Sequence, residues 1–77
     1  MESHVAFGQV LKKYRLEKGL SQERLALESG LDRTYISLLE RGKRKPSIKT
    51  LFAISAHLKI RPSTLIEKTE DLVSNNL

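Results

Sequence analysis

Residues 20–42, LSQERLALESGLDRTYISLLERG, decide the fold. They read as two short helices joined by a tight turn. Ser21 is placed to cap a helix that starts at Gln22, because its hydroxyl can accept an orphan backbone N–H of the first turn. Leu20 and Leu25 hold the two positions of a hydrophobic staple. Glu23 suits the positive end of the helix dipole. Gly30 ends this helix, since glycine tolerates the left-handed conformation of a sharp exit. Asp32 caps the next helix, and Leu31 pairs with Ile36 in a second staple. The two helix starts lie about three turns apart, which leaves only a short turn between the helices. Leu25, Ile36 and Leu39 face inward if the helices cross steeply, and the small Ala26 permits a close crossing.

The outward face of the second helix is then Arg33, Thr34, Tyr35, Ser37 and Arg41, with Asp32 and Glu40 at its ends. Such a face can read base edges. Arginine pairs bidentately with guanine, while threonine and tyrosine offer hydroxyls and apolar contact to thymine methyls. Arg33 is either a base reader or a solvated first-turn residue. The first reading is preferred, because an arginine at a helix N-terminus opposes the dipole. Tyr35 is either a base contact or a ring partly buried at the helix start with its hydroxyl wet.

The chain has 77 residues, which predicts one domain over 1–77. Its net charge is +5, pointing to an anionic partner or to a solvated basic surface. Distribution favours the first. Between 32 and 49 the basic residues are Arg33, Arg41, Lys43, Arg44, Lys45 and Lys49, against Asp32 and Glu40, whereas Glu67, Glu70 and Asp71 make the C-terminal end acidic. There are no cysteines, so a disulfide framework and a thiolate metal site are excluded. No signal-peptide pattern opens the chain and no apolar run reaches membrane-spanning length, so the expected setting is cytoplasmic, with no membrane partner.

An all-α domain of five helices is predicted, over about 5–18, 22–29, 33–41, 48–58 and 62–73. Residues 1–4 and 74–77 read as loose ends. Phe7, Val10, Leu11 and Tyr14 form the apolar face of the first helix, whose remaining surface is basic (Lys12, Lys13, Arg15, Lys18), and Gly19 stops it. Gly42 ends the third helix, and Pro46 resists continuation behind it. Ser47 caps the fourth helix, which buries Leu51, Ile54 and Leu58 and uses Ala53 and Ala56 for close approach. Phe52 falls to one side, either widening the core or exposed for a partner to cover. Pro62 suits the first position of the fifth helix, whose apolar residues are Leu65, Ile66, Leu72 and Val73.

The pattern resembles the helix-turn-helix of phage-repressor-like regulators of the Cro and xenobiotic-response-element type, with the lambda-repressor-like fold. Gln22, Ala26, Gly30, Ile36 and Leu39 stand at that family's spacing. The flanks match too: Gly19-Leu20-Ser21-Gln22, Leu39-Glu40-Arg41-Gly42, and Pro46-Ser47 leading to Thr50-Leu51. Ser29 departs from the small apolar residue usual there. Within the family, LDRTYIS followed by LERG is similar to restriction–modification controller proteins. That resemblance implies a small homodimer that regulates its own gene and the endonuclease gene. It implies base readout by Arg33, Thr34, Tyr35 and Ser37, and DNA backbone contacts from Gln22 and Arg44. The basic residues Arg41, Lys43 and Lys45 add to the backbone set. Arg15 and Glu40 resemble a buried ion pair tying the first helix to the third. Dimerisation through the C-terminal region would use Phe52, Leu65, Ile66, Leu72 and Val73.

The partners expected are double-stranded DNA, a second copy of the chain and, for an activator, RNA polymerase. An alternative is a phage-type repressor, or an antitoxin or adaptor module whose C-terminal helix grips a different protein. RNA is less well matched, for want of an exposed aromatic platform. No metalloprotease or phosphate-loop motif and no nucleophile–base pair is present, so neither an enzyme nor a cofactor or metal site is expected. His57 reads as a surface or capping residue.

Overall fold

A computed structural model of the chain describes residues 1–75. It shows five helices in a row: α1 (Ser3–Glu17), α2 (Gln22–Ser29), α3 (Arg33–Glu40), α4 (Ile48–Leu58) and α5 (Pro62–Ser74). No strand occurs among the described residues. The local signals act where the sequence puts them. Ser21 Oγ accepts the Arg24 N–H at 3.0 Å, Asp32 Oδ1 accepts the Thr34 N–H at 2.9 Å, and Ser47 Oγ accepts the Thr50 N–H at 3.1 Å. Losing any one such cap costs about 1 kcal/mol. Pro62 opens α5 at its first turn, where its missing N–H has no helical partner to lose.

The helix exits share one device. At the end of α2, Gly30 turns left-handed (φ 69) and the Leu31 N–H donates back to the Ala26 carbonyl at 2.8 Å. The same back-bond, Ile60 N–H to Ser55 O at 3.1 Å, closes α4, but there the left-handed position is Lys59 (φ 57). A lysine at that angle carries a steric cost that glycine does not. No sequence signal marked this position.

The helices enclose one core in which Leu11, Leu25, Ile36, Leu39, Ile54 and Leu58 have no solvent access. α1 packs on α3 and α5, α2 on α3 and α4, and α4 on α5. Leu20 and Leu31, the outer members of the two staples, pack against this core. The α1–α3 crossing is very close. A Cβ at Gly8 would lie 2.2 Å from the Leu39 carbonyl oxygen and 2.8 Å from that of Glu40.

Four expectations need correcting. The helix α1 begins at Ser3 rather than at 5, although Glu2 makes no side-chain cap bond. Its first turn is held instead by partial burial of His4 and Val5, with Val5 lying against Gly42 of the α3–α4 loop. Leu65, expected at a dimer interface, is fully buried in the core, because α5 turns that face onto its neighbours. Ala56 is exposed, and the small residue that allows close packing of α4 is Ser55, fully buried with its hydroxyl donating to the Leu51 carbonyl at 2.7 Å. Ser74 completes α5 and Asn75 caps it, so these two are not loose; Asn76 and Leu77 lie outside the described residues.

Phe52 takes the second of its two possible positions and is 58% exposed. His57 is exposed, with Nδ1 2.9 Å from the Ala53 carbonyl of its own helix. The departure at Ser29 also has a visible consequence. Its hydroxyl oxygen is buried without a hydrogen-bond partner.

Candidate nucleic-acid interface

The helix α3 divides cleanly into an anchored side and a presented side. Ile36, Leu39 and Glu40 are buried, whereas Arg33 and Thr34 are exposed and Ser37 is half-buried. Glu40 thus belongs to the anchored side rather than to the end of the outward face. It accepts from Arg15 Nε at 2.6 Å and from Arg15 Nη2 at 3.0 Å, a bidentate pair between side chains only 8% and 2% exposed. The remaining Arg15 nitrogen, Nη1, donates to the Leu20 carbonyl at 2.8 Å. One guanidinium therefore ties α1 to α3 and to the turn that leads into α2.

Gln22 joins the same network. Its amide Nε2 donates to Glu40 Oε1 at 3.0 Å. The sequence marked Gln22 as a DNA backbone contact, and its bond to Glu40 is a structural duty that reasoning missed. Nothing in local spacing shows it, since the partners are 18 residues apart.

The presented side is arranged as follows. Arg33 is the first residue of α3, and its side chain makes no hydrogen bond or ion pair among the described residues. Arg41 folds back along the helix, with Nε donating to Ser37 Oγ at 3.2 Å. Lys43, Arg44 and Lys45 are exposed, as is Lys49 at the start of α4. The ion pairs found among the described residues are Arg15–Glu40 and Arg24–Glu28, and His4 Nδ1 lies 3.7 Å from Glu2 Oε2. None neutralises Arg33, Arg41, Lys43, Arg44, Lys45 or Lys49. The loop is joined to α3 by Arg44, whose guanidinium carbon lies over the Tyr35 ring, 5.5 Å from its centre. Tyr35 is half-buried, its ring packed against the core. The partial-burial reading of Tyr35 is the one the structure displays.

Unpaired cations beside a rigidly anchored helix form a surface for phosphates and base edges. No group of His, Cys, Asp and Glu among the described residues could hold a metal ion. No described helix is long and apolar enough to cross a membrane.

This architecture is that of a helix-turn-helix protein. Residues 11–65 match the helix-turn-helix family model, and the chain belongs to that family. Its similarity is pronounced toward restriction–modification controllers. It is 49% identical over 67 residues to control protein C.MunI of Mycoplasma sp, spanning 86% of this chain and 90% of that one. The crystal structure of the restriction–modification controller C.AhdI from Aeromonas hydrophila superposes with a TM-score of 0.78 at 48% identity, over 79% of this chain and 92% of that one. The controller C.Esp1396I, solved as a tetramer in complex with its natural 35 base-pair operator, superposes with a TM-score of 0.82 at 41% identity, over 92% and 93% of the two chains.

Proposed function

We propose that this protein is a cytoplasmic, homodimeric restriction–modification controller that reads a pseudo-palindromic operator with α3 and regulates its own gene and the endonuclease gene. The observation that carries this reading is the division of α3. Its inner side is fixed by Ile36, Leu39 and the Arg15–Glu40–Gln22 network, while Arg33 and the cations that follow stand unpaired. Arg33 and Thr34 are the foremost base readers and Ser37 stands behind them. Arg41, Lys43, Arg44 and Lys45 meet phosphates, and Gln22 meets them from the N-terminus of α2. An activating role would add RNA polymerase as a partner.

Arg33→Ala is expected to weaken operator binding by about 1–3 kcal/mol per contact and to leave scrambled DNA nearly unaffected. Fluorescence anisotropy on the DNA upstream of the protein's own gene, with a salt titration, measures both. Wild-type affinity of the variant for both DNAs would remove α3 as the reader.

Dimerisation places two recognition helices about 34–36 Å apart on one face of the duplex. Ile48, Phe52 and Ala56 recur at helical spacing on the exposed side of α4, and Ile48 and Ile66 border one groove. Phe52 and Ile66 remain 58% and 49% exposed. Leu72 and Val73, both half-buried, lie further along α5. A patch of this kind marks an interface. Phe52→Glu is therefore expected to sediment as a monomer at micromolar concentration, with unchanged helix content and a large loss of operator affinity, since each half-site alone loses the linked second one. A wild-type protein that is strictly monomeric at that concentration overturns the dimer.

A further inference from the structure

We infer that Tyr35 is a positioning residue, whose ring holds Arg44 against the DNA backbone, and that it is not a reader of bases. The inference rests on the DNA-binding reading above and refines one position in it. Tyr35 stands in the first turn of α3 beside Arg33 and Thr34, where the sequence leaves it either a base contact or a partly buried ring. Its groups are already engaged. The ring packs against the core on the protein side and lies beneath the Arg44 guanidinium on the other, 5.5 Å from centroid to carbon. Its hydroxyl is tethered to Thr50 Oγ1 at 3.5 Å. That oxygen is fixed in turn, because Ser47 Oγ donates to it at 3.0 Å and itself caps the Thr50 N–H. The ring is thus stapled between α3 and the start of α4.

Arg44 presents the complementary picture. It is exposed, and its side chain meets the Tyr35 ring. A guanidinium engaged by one ring still has N–H donors to offer elsewhere. Such donors grip a phosphate bidentately. The ring contact and phosphate binding therefore do not exclude one another. An arginine on a loop loses rotamer freedom when it binds. A ring that already confines it reduces that loss, so the free protein is organised for the contact.

This arrangement makes a prediction that separates positioning from reading. A base reader discriminates between sequences, whereas a residue that acts through a phosphate contact affects all sequences alike. Operator and scrambled duplexes are compared by anisotropy across a salt series, for wild type, Tyr35→Phe, Tyr35→Leu, Arg44→Ala and the Tyr35→Leu/Arg44→Ala double variant. Tyr35→Phe keeps the ring platform and loses only the Thr50 tether, so it is expected to retain more affinity than Tyr35→Leu on both DNAs. Tyr35→Leu is expected to lose about two- to fivefold per protomer on both DNAs, the range of an exposed cation–π contact. Arg44→Ala is expected to weaken both DNAs and to flatten the log–log salt dependence by about one unit per protomer. In the double variant the loss from Tyr35→Leu is expected to vanish, because its route to DNA has been removed.

Thermal melts establish that each variant is folded at the assay temperature, and the Tyr35→Phe rescue covers a ring position that tolerates no leucine. Additive losses in the double variant, or a Tyr35→Leu loss confined to the operator, overturn the inference and return Tyr35 to base readout. A wild type that binds neither DNA overturns the underlying DNA-binding reading instead, and that outcome is distinct from additivity.

Discussion

Glu40→Ala is expected to destabilise the fold by about 3–5 kcal/mol, the cost of breaking a buried ion pair by removing one partner. The size follows from what is left behind. Arg15 would keep only its bond to the Leu20 carbonyl, and a side chain 8% exposed would hold an uncompensated charge. Gln22 would lose the acceptor that orients its amide. A domain of 77 residues has a total stability on the order of 4–12 kcal/mol, so the variant sits near the edge of unfolding. Urea titration followed by circular dichroism measures the loss. The same physics makes a second, opposite expectation. Replacing both partners, as Arg15→Met with Glu40→Leu, removes the charges together, and such swaps in buried pairs are often neutral or stabilising. The double variant is therefore expected to recover most of what Glu40→Ala loses. A Glu40→Ala loss below about 1 kcal/mol, the value of a surface pair, would falsify the claim that this pair anchors α3.

These expectations show which parts of the molecule were legible in the sequence. The caps at Ser21, Asp32 and Ser47 form as read, because each depends on atoms two or three residues away. The Arg15–Glu40 pair came from family resemblance, since nothing local joins residues 25 apart. Leu65 and Ile66 show where pattern reading stops. They are neighbours on α5, yet one is fully buried and the other 49% exposed. Successive helical residues differ by about 100° around the axis, so the outcome depends on how α5 is rotated against its neighbours, which its own sequence does not record. Ser55 and Ala56 divide in the same way. Burying a serine there costs little, because its hydroxyl bonds within the helix to the Leu51 carbonyl. Tyr35 was read on the outward face, yet it is half-buried against the core, and its engagement with Arg44 and Thr50 reaches across the loop to α4, beyond the range of periodicity.

Gly8→Ala is expected to cost about 2–3 kcal/mol despite replacing the second-worst helix former with the best. In an isolated helix the change would gain about 1 kcal/mol, so the sign of the measured effect is decisive. Gly8 sits in the middle of α1, where the chain crosses the last turn of α3. The added methyl would meet the Leu39 and Glu40 carbonyl oxygens at 2.2 and 2.8 Å. Those atoms are backbone, so no rotamer change relieves the overlap, and the two helices must separate. Overpacking in a tight core costs about 1–3 kcal/mol and sometimes more. The upper part of that range applies here because separation also stretches the Arg15–Glu40 pair, which spans the same two helices. With about 4–8 °C of melting temperature per kcal/mol for a domain of this size, a fall of roughly 8–24 °C is expected. The functional consequence would follow from the same movement. α3 carries Arg33 on one side and is gripped by α1 on the other, so tilting it misaligns the presented face even in molecules that remain folded. Operator affinity is expected to fall more than affinity for scrambled DNA, because base contacts need register and phosphate contacts tolerate its loss. A variant that melts at or above the wild-type temperature would show that α1 and α3 do not meet as closely as this crossing requires.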